Sequence, residues 1–285
     1  YGAFKTSTTG YHSVAIGVNA GDAVTTAGQN VLIGYDSGTT LTTGGDNTAV
    51  GDRSFKLATT ASTNVAIGGV ALENTTTAAD NVAVGWGSLR ANTTGSNNTA
   101  VGKNAGNDIT TGASNTLIGT AAGDKLIDAD DNVALGAGSL GSDTKGSKTV
   151  ALGKDALGVQ NFTSATDSFN VGVGYYAGAN VTTGTENTLI GGNAGAATTT
   201  GGNNTFVGTD AGDANTTASN NTGIGRDSLT DNTTGENLTA VGEGSLANNT
   251  TADNNTAVGK NAGLLVTTGI RNTLIGALAG DALNT

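Results

Sequence analysis

Few residues in this chain have the chemistry of a catalytic site. There is no cysteine and one histidine, His12, so Cys-His catalysis, Ser-His-Asp catalysis and imidazole metal sites lack their parts. The segment Gly172-Val173-Gly174 fits a loose dinucleotide-binding fingerprint, but the same glycine phase recurs along the chain and no helix is predicted after it. We therefore expect no enzymatic activity and no cofactor.

The acidic residues offer one weak candidate for a metal site. Asp128, Asp130 and Asp131 cluster in a turn region, and hard oxygen ligands of this kind could hold calcium. The glycine-aspartate nonapeptide spacing of calcium-binding β-rolls is absent from the sequence. Solvated turn carboxylates are therefore the favoured interpretation of this cluster.

Four aromatic side chains are the candidates for receptor contact: Tyr35, Trp86, Tyr175 and Tyr176. Three of them directly follow a repeated glycine, at the most variable position of the repeat, which predicts exposure to solvent. Exposed Tyr and Trp are the side chains that recognition surfaces use. A structural role at a subunit edge is the favoured alternative for them.

These candidates are carried by a repeat of 17 residues. A phrase of the form Asn-Thr/Val-Ala/Leu-Val/Ile-Gly occurs sixteen times, with one four-residue insertion. A fixed period of just under about 20 residues indicates one supersecondary unit stacked on copies of itself. Positions below are counted from the closing glycine, position 0. These glycines are Gly17, Gly34, Gly51, Gly68, Gly85, Gly102, Gly119, Gly136, Gly153, Gly174, Gly191, Gly208, Gly225, Gly242, Gly259 and Gly276.

The residues before each glycine predict a short β-strand. Position −1 is aliphatic in every copy and position −3 is Val or Thr, so the period of two predicts that both point into a slender interior. Ile118 and Ile190 should then be buried. Position −2, mostly Ala or Leu, faces the other way and forms a second apolar surface, which we expect to be covered as well.

The residues after the glycine predict a packed interior. Position +3 is always Ala or Ser, and position +4 is either Gly or a large apolar residue. Seven of the nine copies with Gly at +4 have an aliphatic residue at +7, whereas no bulky copy does, which indicates one pocket filled from either position. The coils with Thr198 and Asn215 at +7 lack both fillers and should be the least well packed.

Two further patterns complete the predicted coil. Twelve copies carry a Thr-Thr pair, which we interpret as a second short strand followed by a turn. Thirteen phrases begin with Asn, whose amide can stack on the coils above and below. The sequence thus predicts an all-β parallel β-solenoid of about sixteen coils with almost no helix.

Composition agrees with one elongated body. Aromatics are 4% and charged residues 12% of the chain, while Gly occurs 47 times, so the interior must be narrow. The formal charge of −11 opposes binding to nucleic acid, and no apolar run is long enough for a membrane helix.

We expect a lead-in segment at 1–12 and a single solenoid at 13–285. The insertion lies near 157–170, around Asn161, Phe162 and Phe169, where a loop could serve binding or mark a bulge.

The repeat resembles two families. Asn98-Thr-Ala-Val-Gly102 and Asn221-Thr-Gly-Ile-Gly225 resemble the repeat of tail-fibre-like proteins of bacteriophages, and the resemblance covers nearly the whole chain. Ser13-Val-Ala-Ile-Gly17 and Asn64-Val-Ala-Ile-Gly68 also look like the head repeats of YadA-type trimeric autotransporter adhesins, whose heads are trimers of left-handed parallel β-rolls with a shorter coil. Both resemblances imply an elongated homotrimer outside the bacterial cytoplasm, and position −2 would then form the surface between subunits.

The favoured function is therefore a non-enzymatic, rigid segment of a phage tail fibre that mediates adhesion to a host-cell surface receptor, a glycan or a protein. The runner-up is a bacterial surface adhesin, so the expected location is the virion or the cell surface. An ice-binding solenoid is disfavoured because adjacent threonines in a strand point to opposite faces. A glycan-degrading spike would need an acidic pair in a groove.

Overall fold

The computed structural model describes residues 2–283, and this part of the chain contains strands, turns and bends but no α-helix. The protein is an all-β parallel β-solenoid, as the 17-residue period predicts. The chain divides into two compact units, Tyr1–Lys145 and Gly146–Thr285. Each unit stacks short parallel strands, one per coil.

The first unit contains eight strands that pair in chain order, in register and offset by one repeat, as in Val14 opposite Val31. Each strand is three residues long and ends directly before a repeat glycine. The strands are β1 (Val14–Ile16), β2 (Val31–Ile33), β3 (Thr48–Val50), β4 (Val65–Ile67), β5 (Val82–Val84), β6 (Thr99–Val101), β7 (Thr116–Ile118) and β8 (Val133–Leu135).

The second unit repeats this arrangement with eight in-register strands, and it adds one short pair. The β10–β12 step spans the insertion, with Val150 opposite Val171, and two residues of β9 pair with two of β11. The strands are β9 (Gly146–Ser147), β10 (Val150–Leu152), β11 (Thr166–Asp167), β12 (Val171–Val173), β13 (Thr188–Ile190), β14 (Thr205–Val207), β15 (Thr222–Ile224), β16 (Thr239–Val241), β17 (Thr256–Val258) and β18 (Thr273–Ile275).

The predicted orientation of the strands is wrong. Position −2 is the buried one, with Leu32, Leu117 and Phe206 at 0% exposure, whereas Ile118 and Ile190 at position −1 are 37% and 38% exposed. Both faces of each strand are apolar, so alternation alone could not tell which face turned inward. The mostly β-branched residues at −3 and −1 form the outer face of the sheet, and the side chains at −2 point into the interior.

Side-chain volume explains this orientation. The large residues at −2, namely Leu32, Leu117, Leu189, Phe206 and Leu274, occur where position +4 is Gly in both their own coil and the preceding one. A Cβ built on Gly106 or Gly123 would lie 2.8 Å or 2.7 Å from a Cδ atom of Leu117. The side chain at −2 therefore occupies the space that a bulky +4 residue would need, so both belong to one interior.

The pattern after the glycine is confirmed, with one exception. Position +3 is fully buried from Ala20 to Ala262, and the bulky +4 residues and the aliphatic +7 residues share 0% exposure up to Val266. The coils of Thr198 and Asn215, however, are not poorly filled. Phe206 lies between them, and a Cβ on Gly212 would meet its ring at 2.6 Å. The expectation of loose packing was wrong because it left position −2 out of the interior.

The repeat glycines are required by the close approach of successive coils. They have φ values of 123° to 144°, a region that side chains with a Cβ rarely adopt. A Cβ on Gly102 would lie 2.4 Å from the carbonyl oxygen of Gly119 in the next coil. Position 0 thus fixes both the turn after the strand and the distance between coils.

The Thr-Thr pairs form bends, so the predicted second strand is wrong. The first threonine of each pair donates its hydroxyl to the backbone of the next coil, as from Thr25 Oγ1 to the Thr42 carbonyl at 3.1 Å and from Thr93 to Thr110 at 2.9 Å. The second threonine, such as Thr26, is exposed. The backbone N–H of the first threonine donates to the same carbonyl, as from Thr93 to Thr110 at 2.8 Å, so hydroxyl and backbone bonds together join the coils on this side.

The asparagine stack is confirmed. Asn47 donates its backbone N–H and its side-chain Nδ2–H to Asn30 Oδ1 at 3.0 Å and 3.1 Å, and it also donates Nδ2–H to the Ala61 carbonyl at 2.9 Å. Both asparagines are buried. Each amide therefore connects three consecutive coils, which satisfies buried backbone groups at the start of every strand.

The start of the chain and the insertion both follow the repeat. Phe4 occupies the phase of position +4 with φ 55°, and its N–H donates to the Ala20 carbonyl at 3.2 Å. In the insertion, the N–H of Asn161 donates to the Thr182 carbonyl at 3.0 Å, which is the usual contact of position +8. The strand pair β9–β11 lies beside the additional residues, and Asn170 resumes the asparagine stack.

Candidate functional site

Position +1 lies on the outside of the coil, as predicted. Tyr35, Trp86 and Tyr175 are 52%, 52% and 54% exposed. Because each follows a repeat glycine, the three side chains lie in the same column of their units, separated by whole coils. The structure therefore brings Tyr175 and Tyr176 together, whereas Tyr35 and Trp86 stand three coils apart, roughly 14 Å along the stack.

Trp86 is enclosed by its neighbours in the +1 column. The Lys103 Nζ lies 6.0 Å from the ring centroid, and a Cβ on Gly69 would be 3.2 Å from Trp86 Cδ1. The indole thus rests over the space that Gly69 leaves open. One edge of the ring remains available to solvent.

Tyr175 and Tyr176 form a compact aromatic cluster with Lys154. The two rings meet edge to face, with centroids 4.2 Å apart and an interplanar angle of 77°. The Lys154 Nζ lies 5.6 Å from the Tyr175 centroid and 5.0 Å from the Tyr176 centroid, and it also contacts Asp155 and the Tyr176 hydroxyl. Cation–π contacts of this kind hold both rings in place.

The charges of this cluster are set by its hydrogen bonds. The hydrogen bond with Tyr176 and then partial burial raise the pKa of the Tyr175 hydroxyl above its usual value. The hydrogen bond to Asp155 and then that to Tyr176 raise the pKa of the Lys154 ammonium. At neutral pH the Tyr175 phenol is therefore neutral, and the Lys154 ammonium pairs with Asp155.

The acidic candidates for calcium are not brought together into a ligand set. Asp128 pairs with Lys145 at 3.2 Å, and Asp130 accepts the backbone N–H of Ala113 at 2.7 Å. Asp131 sits in a left-handed turn at φ 59°. Across residues 2–283, there is no group of three His, Cys, Asp or Glu side chains that could hold a metal ion.

His12 lies at the beginning of the first unit beside a small cavity. Its ring meets Tyr11 edge to face at 5.3 Å, and it lines a cavity of about 170 Å³. The other lining residues are small or apolar, so no carboxylate or nucleophile pair faces the imidazole there. The cavity is lined by Phe4, Ser7, Gly10, His12, Ser13, Val24 and Ala27.

The insertion presents one exposed aromatic ring. Phe169 is 52% exposed, and the Lys148 Nζ lies 5.4 Å from its centroid while also pairing with Asp167. Phe162, by contrast, is buried at 6% exposure. The insertion therefore contributes to packing through Phe162 and to the surface through Phe169.

The outer face of the β-sheet is a candidate interaction surface that the sequence did not indicate. Positions −3 and −1 are Val, Thr, Ile or Leu in all sixteen main strands, so the face has no charged side chain. Several of its residues are substantially exposed: Ile67 40%, Ile118 37%, Leu135 49%, Ile190 38% and Ile224 40%. The uniformly aliphatic −1 column was the available signal, and it was assigned to the interior.

Comparison with known proteins gives no identification. No protein-family model matches the chain, and no curated protein matches it. Among residues 2–283, no helix is long and apolar enough to cross a membrane. The function has to be inferred from the two surfaces described above, the outer β-face and the +1 column.

Proposed function

We propose that this chain is a structural and attachment segment of a phage tail fibre, assembled as a homotrimer, with no enzymatic role. The observation that carries the proposal is the uncharged aliphatic outer face in each unit, beside a separate column of exposed aromatic residues. The first surface suits association with other copies of the chain. The second suits contact with a host-cell receptor.

Stiffness follows from the way successive coils are bonded. Backbone bonds such as Gly102 N–H to Val84 O at 2.8 Å, the threonine ladder and the asparagine stack recur in nearly every coil. Every coil is thereby fixed to the next on both sides of the glycine. A segment built in this way can transmit force and keep a receptor-binding surface at a set distance.

The outer β-face is large enough to need a partner. Eight strands at about 4.8 Å spacing, each about 10 Å long, give roughly 400 Å² of sheet surface per unit. Contiguous apolar patches of about this size on a soluble chain tend to mark interaction sites. Depletion of charge is also the compositional mark of an interface core. A second and a third copy of the same face would cover it by symmetry.

The oligomeric state tests this assignment. We expect sedimentation equilibrium to give three times the 27.6 kDa of one chain. Changing Ile118→Lys and Ile190→Lys places one charge on the outer face of each unit, and it should shift the mass to that of a single chain because buried unpaired charges are costly. The matched control, Thr111→Lys with Thr183→Lys, adds the same charges at exposed bends.

A single-chain mass for the unaltered protein would overturn the trimer. So would a double Ile variant that keeps the mass of the control while its circular dichroism stays native. To separate a phage fibre from a bacterial surface adhesin, antibodies raised against the chain can be used in electron microscopy. Labelling of virion tails supports the fibre, and labelling of uninfected cells supports the adhesin.

One observation favours a second candidate, an ice-binding surface. Nine of the sixteen main strands have Thr at −3 and an aliphatic residue at −1, as in Thr116 and Ile118, so the outer face shows regular threonines next to methyl groups. The Thr-Thr pairs, whose adjacent threonines argue against ice binding, form bends and are not part of this outer face. Thermal hysteresis in a single-chain sample, lost with Ile118→Lys, would support this candidate over the trimer.

A further inference from the structure

We propose that Tyr175 and the open space beside it form a subsite that stacks on a neutral hexopyranose ring of a surface glycan. This inference rests on the proposed attachment function and specifies the chemistry that is contacted. It concerns the part of the +1 column in the second unit on either side of the insertion. Lys154, Tyr175, Gly192 and Thr209 follow one another there in successive coils.

The space beside Tyr175 is created by a glycine. The N–H of Asn193 donates to the Tyr175 carbonyl at 2.9 Å, so the two coils are directly adjacent. A Cβ built on Gly192 would meet nothing within 4 Å. Thr209, in the coil beyond, is exposed. A notch about one coil wide, roughly 4.8 Å, therefore separates the tyrosine from the next side chain of the column.

The tyrosine ring is held before any ligand arrives. Tyr176 contacts it edge to face at 4.2 Å, and Lys154 lies 5.6 Å from its centroid, on the side of the preceding coil. Gly192 is on the side of the following coil. A preorganised ring loses little conformational entropy on binding, which lowers the cost of stacking.

The chemistry of the notch fits a sugar. One face of a hexopyranose carries C–H groups with a partial positive charge, which are attracted to the negative face of an aromatic ring. The hydroxyls at the sugar's edge need polar partners, and the hydrogen-bonded pair of Asn193 and Asp210, with Nδ2 to Oδ1 at 2.9 Å, lies next to the notch. A shallow aromatic platform with a polar rim suits such a ring better than it suits an apolar side chain.

The charges favour a neutral sugar. Lys154 is paired with Asp155, so its ammonium is not available to hold an anion alone. The chain carries a formal charge of −11, and Asp210 lies at the rim, so an acidic sugar would be repelled. A neutral hexose has no such penalty.

The other aromatic residues of the column lack an open notch. The indole of Trp86 leans over Gly69, which closes the corresponding space. Tyr35 is flanked in the column by Val18 and Asp52, whose side chains occupy the neighbouring positions. Tyr11, which is 55% exposed but lies outside the +1 column, therefore provides a control.

The test is titration calorimetry of the full chain with neutral hexasaccharides of glucose, galactose and mannose and with acidic hexagalacturonate. We expect at least one neutral hexasaccharide to bind, and Tyr175→Ala and Gly192→Leu each to weaken that binding about tenfold or more. Tyr175→Phe keeps the ring and should stay within about twofold of the parent, as should Tyr11→Ala. Gly192→Leu only fills open space, because other coils carry Arg226 or Lys260 at this position.

Three results would overturn the subsite: no neutral hexasaccharide binding to the parent chain, a preference for hexagalacturonate, or an equal loss with Tyr11→Ala. The mass of each variant is measured in parallel. A lack of sugar binding by an intact trimer rejects the subsite alone, whereas a parent protein of single-chain mass rejects the assembly proposed above. Either failure can thus be recognised separately.

Discussion

Replacing repeat glycines by alanine should separate two costs that every coil combines. Gly102 has φ 141°, and a Cβ there would lie 2.4 Å from the Gly119 carbonyl oxygen. Gly276 holds the same phase with φ 123°, but its added Cβ would meet nothing within 4 Å. Gly192 lies outside this positive φ region, and its added Cβ would also meet nothing within 4 Å. The three substitutions therefore test strain with a clash, strain alone, and neither.

The expected magnitudes follow from these contacts. A side chain held at such a φ costs about 1–3 kcal/mol, which is the whole effect at Gly276. At Gly102 the Cβ must be displaced by about 1 Å to reach an ordinary contact, which would break backbone bonds such as Gly119 N–H to Val101 O at 2.8 Å. Two such bonds add about 1–3 kcal/mol, so the total is about 2–6 kcal/mol. Gly192→Ala should be neutral, or stabilising by up to about 1 kcal/mol.

Urea unfolding gives the change in the free energy of unfolding for Gly102→Ala and Gly192→Ala. Because Gly276 lies in the last described coil, local opening there is better measured by hydrogen exchange of its own N–H, which donates to the Val258 carbonyl at 2.8 Å. The reasoning fails if Gly102→Ala is no more harmful than Gly276→Ala, or if Gly192→Ala is as harmful as either.

Three further changes test the interior and the charges. Leu89→Gly should cost about 2–5 kcal/mol in urea unfolding, and adding Asn92→Val, which recreates the glycine type of coil, should recover part of it. Burial first, and then the charge of Asp210, raise the pKa of Asp213, so ionisation of this carboxyl above that pKa opposes folding. Asp213→Asn should therefore raise the melting temperature at pH 7 but not at pH 3. The pKa of Glu243 is lowered, first by its hydrogen bond from Arg226, so Glu243→Gln should lower the melting temperature at pH 7, an effect lost as pH falls through that pKa.

The stacking of coils could be predicted because its signals are specific. A Cβ is excluded at position 0 by the next backbone, and an amide at −4 reaches both neighbouring coils, so glycine and asparagine recur at fixed phase. The exchange between positions +4 and +7 could also be predicted, because one pocket tolerates one large side chain. In each case a single residue type satisfies a contact that every coil must make.

The inward face of the strand could not be predicted from alternation. Val65-Ala66-Ile67 is apolar on both faces, so a period of two does not distinguish the inward face from the outward one. The informative signal was the rule that Leu or Phe appears at −2 only between two +4 glycines. That rule links position −2 to the +4 glycine six residues later in its own coil and to the +4 glycine eleven residues earlier in the preceding coil, so it becomes visible only when side-chain volumes are compared across neighbouring coils.

The candidate site was predictable only in outline. Exposure of Tyr175 followed from the variability of its column, but the open notch did not. Gly69 and Gly192 each neighbour an aromatic residue at +1, Gly69 in the coil before Trp86 and Gly192 in the coil after Tyr175. The difference arises because Trp86 leans over its glycine whereas Tyr175 is held by Tyr176 and Lys154. Side-chain direction of this kind depends on contacts between coils.

The packing of the coil explains why the candidate contact residues lie on its outside. Positions −2, +3, +4 and +7 share one narrow volume, so a change at any of them requires a compensating change nearby, as Phe206 shows beside Gly195 and Gly212. Position +1 lies outside this shared interior and can hold Trp, Lys, Gly or Thr without a change in the interior packing. New recognition surfaces can therefore be built in this column one residue at a time. The outer β-face has no such freedom if copies of the chain pack against it, which is why its residues are limited to Val, Thr, Ile and Leu.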